Sequence, residues 1–363
     1  MTIYFDADDA RRYMMSIMPG HKALGLLAQL EFEKWIDEQD ETVRNKYFRG
    51  CWITALKGAD FYALRTCFFV SPEVVLEPEI EETLSGHAGN RQFHAMCSSL
   101  NSAGFDVVYC FPVVKEKDFR TTDVKWRIYR YLKESLVEED PDRYFSVWYG
   151  RGRVSRPREW VARTVEKFKR LDEKALTSLV LPQLFYNGLF KGRYRANTMD
   201  PYDTDGFIIS YDGKVFPVEL KEKFPFRHQS MGSTIGVDVG RILMMLRICV
   251  PLDANGFYIV REVEETEERR LVGWRLIRLD ELLVKCSWNV QAGGPGMASS
   301  AAGAGSPTST ILVPHKAFSE MTPEIFSDGC LRRYATLTEG TRRLAQDFIA
   351  QSLNRFGLVG ASD

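Results

Sequence analysis

Residues 200–223 read DPYDTDGFIISYDGKVFPVELKEK. Two apolar runs flank the turn Tyr211-Asp212-Gly213, and both outer ends carry acids and lysines. Asp-Gly favours a tight hairpin, because glycine takes the left-handed backbone without a Cβ penalty. Two registers satisfy that turn. A two-residue Asp212-Gly213 loop sets Asp205 opposite Leu220. A three-residue loop, with Gly213 left-handed in a bulge, sets Asp205 opposite Glu219 and Asp203 opposite Lys221. In the second register Phe216, Val218 and Leu220 form one apolar row for a core, because strand side chains alternate.

The second register also makes a chemical site. Directly opposed residues lie about 4.5–5.5 Å apart, and two carboxylates that close repel unless a cation sits between them. A hard divalent ion is the natural occupant: Mg²⁺ takes one or two carboxylates, waters and phosphate oxygens. Lys221 follows Glu219 by one alternation on the same face. It can hold or polarise an attacking water and offset charge on a phosphorus centre.

Asp205 ahead of one strand, with Glu219-Leu220-Lys221 closing the next, resembles the PD-(D/E)XK nuclease superfamily. The resemblance covers roughly residues 170–275. It implies an α/β (α+β), restriction-endonuclease-like core, in which a mixed central sheet is flanked by helices. It implies that Asp205, Glu219 and the Leu220 carbonyl bind the metal, and that Lys221 is catalytic. The acid this family often adds from the preceding helix is best matched by Glu173 in DEKALTSLVLPQL. The cofactor implied is Mg²⁺, with Mn²⁺ as a substitute. Other acid-x-Lys triplets end at Lys125, Lys174 and Lys214, but only Glu219 closes an apolar strand with a second acid across a hairpin. The chain departs from the pattern in three places. Pro217 stands inside a strand that should be central, where proline loses a ladder bond. Thr204 precedes Asp205 where the family has proline, which keeps Asp203 as a rival first acid. The Q-x-x-x-Y pattern of the RecB-like branch is absent from GRILMMLRIC.

Around this stretch the charge is uneven. Residues 1–150 carry 18 basic and 24 acidic side chains, and residues 151–228 carry 16 and 10, within a chain whose net charge is −1. A basic field beside clustered acids fits a polyanionic partner that also needs a metal. Arg151, Arg153 and Arg156 in YGRGRVSRPREW, then Lys191, Arg193 and Arg195 in KGRYRAN, and Lys223 beyond the hairpin, are the candidate phosphate contacts.

At 363 residues the chain is long enough for two domains. A boundary in 149–160, where Gly150 and Gly152 loosen the backbone and Pro157 suits a helix start, predicts an α/β recognition or regulatory domain over 1–150 and a nuclease domain over 151–363. The charge-free segment 291–310, QAGGPGMASSAAGAGSPTST, predicts a mobile loop. Periodicity predicts helices over 1–47, 90–104, 172–190, 236–250 and the last 25 or so residues, with strands at 105–114, 254–263 and 272–279. The seven cysteines are scattered, with no C-x-x-C spacing, which argues against a disulfide framework or a structural zinc. His87 and His94 lack a third ligand at metal spacing.

The function these readings predict is a metal-dependent DNA endonuclease of restriction or phage-defence type, cytoplasmic, without a membrane partner, and paired as a homodimer to cut both strands. RNA is left open, since the phosphoryl chemistry does not depend on the sugar. The alternatives are a repair or branched-DNA nuclease with the same site, and a nucleic-acid-binding protein whose hairpin acids only pair with lysine.

Overall fold

The computed structural model describes residues 3–56, 66–148, 150, 160–266, 268–292 and 309–355. They form a mixed α/β protein, with helices beside mixed sheets. The chain divides into two compact units. The first takes the described residues up to Asp203 except Glu38–Phe48; the second takes Glu38–Phe48 and the described residues from Thr204 onward.

In the first unit the strands run in the order Ser135–Glu139, Lys125–Leu132, Asp106–Val114, Thr66–Val70, Trp52–Leu56, Thr198–Asp203, with Val75–Leu76 added beside Asp106–Val114. Asp106–Val114 is buried along nearly its whole length, the mark of a strand covered on both faces. The period-2 alternation shows how. Phe68 meets Phe145, Phe185 and Phe190 on one side, while Tyr109 meets Phe93 of the helix Arg91–Ser102 on the other. That helix is capped by Asn90 and followed by Gly104 at φ +85°, as the sequence predicts.

The division between the units falls after Asp203 and not within 149–160. The helices Ala162–Lys169 and Glu173–Gln183 are tied to the N-terminal helices. Arg11 donates to the carbonyls of Phe168 and Lys169 at 3.3 and 3.2 Å, and Phe5 N–H donates to Thr177 Oγ1 at 2.8 Å. Thr198–Asp203 then pairs with Trp52–Leu56, so Asp203 sits opposite Trp52 in the first sheet. Pro182 lies inside Glu173–Gln183 and cannot donate to the carbonyl four residues back; Arg49 supplies a donor to that Ser178 carbonyl at 3.4 Å. The helix continues with wider, five-residue turns over Leu184–Arg193.

In the second unit, apart from Arg49 at the end of its first strand, a six-stranded sheet runs Tyr47–Arg49, Gly206–Ile209, Val215–Lys223, Phe257–Val263, Leu271–Arg278, Ser319–Glu320. The hairpin adopts the three-residue loop. Val215 faces Ile209 and Phe216 faces Ile208, Ser210 N–H bonds the Lys214 carbonyl at 3.0 Å, and Gly213 has φ +83°. Val215–Lys223 is central: it pairs antiparallel with Gly206–Ile209 and parallel with Phe257–Val263. Phe216, Val218 and Leu220 are buried as one row. Each contributes about 1.5–3 kcal/mol of burial free energy.

Pro217 fits this central strand for a geometric reason. Hydrogen-bonded and non-bonded pairs alternate along an antiparallel ladder. Counting from the bonded Ser210–Lys214 pair, Pro217–Phe207 is non-bonded, so the proline nitrogen points away from Gly206–Ile209. On its other side the pairing with Phe257–Val263 begins only at Val218. No ladder bond is lost.

Gly206 leaves no room for a Cβ. A Cβ there would lie 2.5 Å from Tyr47 Cε2 and 2.7 Å from the Tyr47 hydroxyl, which itself donates to the Asp205 carbonyl at 3.1 Å. Gly206→Ala is therefore expected to lower stability by about 1–3 kcal/mol through overpacking. Chemical denaturation measures it, and Tyr47→Ala in the same chain should recover part of the loss.

A second sheet of four strands, Phe226–His228, Gly232–Asp238, Ser309–Pro314 and Ser287–Ala292, shares a core with the helix Val239–Leu252. Ser287–Ala292 and Ser309–Pro314 pair across the charge-free segment, of which 293–308 lie outside the described residues. Among the described residues no helix is long and apolar enough to cross a membrane.

Candidate active site

The hairpin register brings Asp205, Glu219 and Lys221 together at the end of the central strand. Each is fixed by its neighbours. Thr204 Oγ1 donates toward the carbonyls of Gly206 and Val218, each at 3.3 Å, which anchors the backbone before Asp205. The Asp205 carboxylate accepts from Leu220 N–H at 2.7 Å, so the strand that carries Glu219 also orients Asp205. Glu219 is fully buried, with 0% exposure. A lone carboxylate there would cost several kcal/mol, and partners of opposite charge offset that.

Those partners are Lys221 and Arg241. Lys221 Nζ lies 2.5 Å from Glu219 Oε1, 3.4 Å from Asp205 Oδ2 and 2.8 Å from the Leu220 carbonyl oxygen, to which it donates. Arg241 Nε lies 3.5 Å from Glu219 Oε1. Burial alone would pull the Lys221 ammonium down, but Asp205 and Glu219 outweigh it and hold the group above the ordinary lysine range. For Lys223, one alternation further, the pull of Asp238 and Glu219 does not make up for burial. Burial, then repulsion from Lys221, lowers it to about 8.

Arg241, Asp238 and Tyr258 belong to this site, and the sequence reading missed them. Asp238 caps the helix Val239–Leu252 by accepting from Gly240 N–H at 2.7 Å, and its charge acts on Lys223. Tyr258 stands beside Glu219 in the parallel register, and burial, then Glu219, pushes its hydroxyl well up. One signal was available. Arg241 falls in the first turn of a helix, where the dipole disfavours a cation, so an acid elsewhere must hold it.

Glu173, Lys191, Arg193, Arg195 and Asp203 belong to the first unit. Glu173 is the first residue of Glu173–Gln183 and is exposed. Lys191 is buried in the first unit, with Nζ donating to the Ala196 carbonyl at 3.0 Å and lying 5.9 Å from the ring centres of Tyr186 and Phe190. That ammonium is enclosed by its own fold. Arg193 and Arg195 are exposed in the same unit, and Arg193 lies 3.2 Å from Asp142. Arg151, Arg153 and Arg156 lie outside the described residues. Asp203, the rival first acid, is a strand residue of the first sheet.

The donor set suits a hard cation. Asp205 Oδ2, Glu219 Oε1 and the Leu220 carbonyl meet at one point, the Lys221 ammonium, which stands there as a cation. Oxygen donors of this kind fit Mg²⁺ or Mn²⁺. Among the described residues no group of three or more His, Cys, Asp or Glu is placed to hold a metal. An ion bound here must therefore draw on the carbonyl, water and substrate oxygens as well as the two carboxylates.

No family model matches the chain, and searches of curated proteins and of solved structures return no match. What the fold establishes is the class, a mixed α/β protein with helix-flanked sheets. The functional reading rests on the site.

Proposed function

We propose that the protein is a Mg²⁺-dependent nuclease of the PD-(D/E)XK kind that hydrolyses phosphodiester bonds in DNA. One observation carries this reading: two carboxylates and a backbone carbonyl converge on a cation at the end of a central strand, after an Asp-Gly hairpin. Bound Mg²⁺, or Mn²⁺ in its place, would supply a Lewis acid and an activated water. Asp205 and Glu219 would hold the ion, with the Leu220 carbonyl completing the protein's share. The chain's other groups act on the substrate. Lys221 orients the attacking water and offsets the charge that builds on the phosphoryl oxygens. Arg241 holds Glu219 in its rotamer. Lys223 meets a neighbouring phosphate.

A restriction or phage-defence role, a cytoplasmic location and pairing of two copies accompany this reading, because one site cuts one strand. Nicking of duplex DNA that requires Mg²⁺ or Mn²⁺ and stops with EDTA tests it. Comparing linear duplex with four-way and flap substrates then separates a sequence-specific cutter from a branched-DNA nuclease.

A second reading has its own observation. Asp205, Glu219, Lys221 and Arg241 balance in charge with no metal, as a binding protein would have them. A melting temperature indifferent to Mg²⁺ would favour it.

Lys223 gives the site a pH dependence. Its ammonium is lowered to about 8 in the fold, against an ordinary value of 10.5. Affinity for DNA is therefore expected to fall as pH rises through about 8, as this charge is lost. Lys223→Arg, which stays charged, should abolish that fall, and Lys223→Met should weaken binding at pH 7 and reduce its salt dependence by about one phosphate contact. Fluorescence anisotropy with Ca²⁺ in place of Mg²⁺ measures both. For stability the sign runs the other way: the penalty for burying a charged Lys223 is present below pH 8 and fades as pH rises toward 10.5.

A further inference from the structure

We propose that Lys221 is the internal cation of the metal-free protein, and that its ammonium leaves the oxygen cluster when a divalent ion binds. The proposal rests on the metal-dependent reading of the site and adds to it a competition between the ion and a side chain of the chain itself.

Three facts carry it. Lys221 Nζ touches all three oxygens assigned to the metal, at 2.5, 2.8 and 3.4 Å. An ion drawing on the same oxygens would bind them at about 2.0–2.1 Å and cannot share that point with Nζ. Glu219 is fully buried, so the cluster cannot stand without a cation. The Lys221 side chain is 28% exposed, and its four-carbon stem is flexible, so it has a route out of the cluster toward solvent. The displaced ammonium then faces the space a phosphate would enter. Catalytic and storage positions of one lysine are thus two rotamers of the same side chain.

Metal affinity in this account is a difference: the ion gains what Lys221 gives up. Lys221→Met keeps the length of the stem and removes the charge. The variant should bind Mn²⁺ at least about tenfold more tightly than the wild type, the scale on which one adjacent charge shifts such equilibria. Its melting temperature without metal should fall below the wild type, and saturating Mn²⁺ should close most of that gap. Calorimetric titration of each full-length protein with Mn²⁺ alone reads the first, and thermal melts with and without Mn²⁺ read the second. Equal or weaker Mn²⁺ binding by Lys221→Met overturns the proposal and leaves the nuclease reading standing. Failure of both proteins to bind Mn²⁺ overturns the two together. If Lys221→Met does not fold without metal, the wild type supplies the test. Reductive methylation followed by peptide mass spectrometry should find Lys221 protected without metal and more reactive with Ca²⁺. Labelling that Ca²⁺ leaves unchanged counts against displacement.

Discussion

Asp205→Ala, Glu219→Ala and Lys221→Ala are each expected to reduce Mg²⁺-dependent cleavage by at least about 10²-fold, the usual effect of removing one group that stabilises developing charge. The reasons differ. Asp205→Ala removes a carboxylate held by Leu220 N–H, and Glu219→Ala removes the buried one. Lys221→Ala leaves the oxygens in place but removes the cation that faces the phosphate. The losses should be far from additive, because the three groups share one cluster. Single-turnover cleavage by each variant and by the Glu219→Ala, Lys221→Ala pair measures this. A control on folding is essential for Lys221→Ala, which strips a buried carboxylate of its nearest partner at about 3 kcal/mol. Glu219→Gln separates the effects, since it removes charge with little change in shape. Cleavage lost with the melting temperature intact marks a chemical role.

The largest expected effect on stability lies in the first unit. Phe68 is fully buried, with ring centres of Tyr144, Phe145, Trp148, Phe185 and Phe190 between 5.3 and 6.3 Å away. Phe68→Ala should cost about 3–5 kcal/mol, through lost transfer free energy and the cavity left behind. Phe68→Leu should cost far less, about 1.5 kcal/mol or below, if the neighbouring rings close around it. Urea unfolding followed by tryptophan fluorescence reads the difference, since Trp148 is one of those neighbours. Equal losses for the two variants would contradict a cavity as the cause.

The hairpin was legible in the sequence because its rules are local. Asp212-Gly213 announces the turn, alternation sorts the faces, and an acid at each open end marks the site. Turn chemistry left two registers. The chain takes the three-residue loop, with Val215 facing Ile209 and Gly213 at φ +83°, and this register turns Asp205 toward the end of the strand that carries Glu219. The boundary between the units was less legible. Glycines and arginines at 149–160 resemble a linker, yet the helices that follow are anchored to Phe5 and Arg11, more than 150 residues earlier. The four-stranded sheet was missed because Phe226–His228 is only three residues long, Gly232–Asp238 runs straight into a helix, and the other two strands flank a charge-free segment. Arg241 was missed for a related reason. Its partner Glu219 is distant along the chain, and only the placement of Val239–Leu252 brings them together.

KGRYRAN shows the limit of reading charge alone. Lys191 and Arg193 are two positions apart and look alike in the sequence. One is enclosed against Tyr186 and Phe190, and the other is exposed beside Asp142. A lysine stem covers apolar surface as readily as its head meets a phosphate. Lys191 is therefore removed from the phosphate contacts expected of it, while Lys223 stays beside Lys221 at the site.

The measurement that bears most directly on the central claim is cleavage of duplex DNA, single-stranded DNA and RNA by the purified full-length protein in Mg²⁺, Mn²⁺ or EDTA, with Glu219→Ala beside it. The account predicts cutting of DNA with either metal, none with EDTA, and none by folded Glu219→Ala. Cutting that persists in Glu219→Ala, or in EDTA, would contradict it.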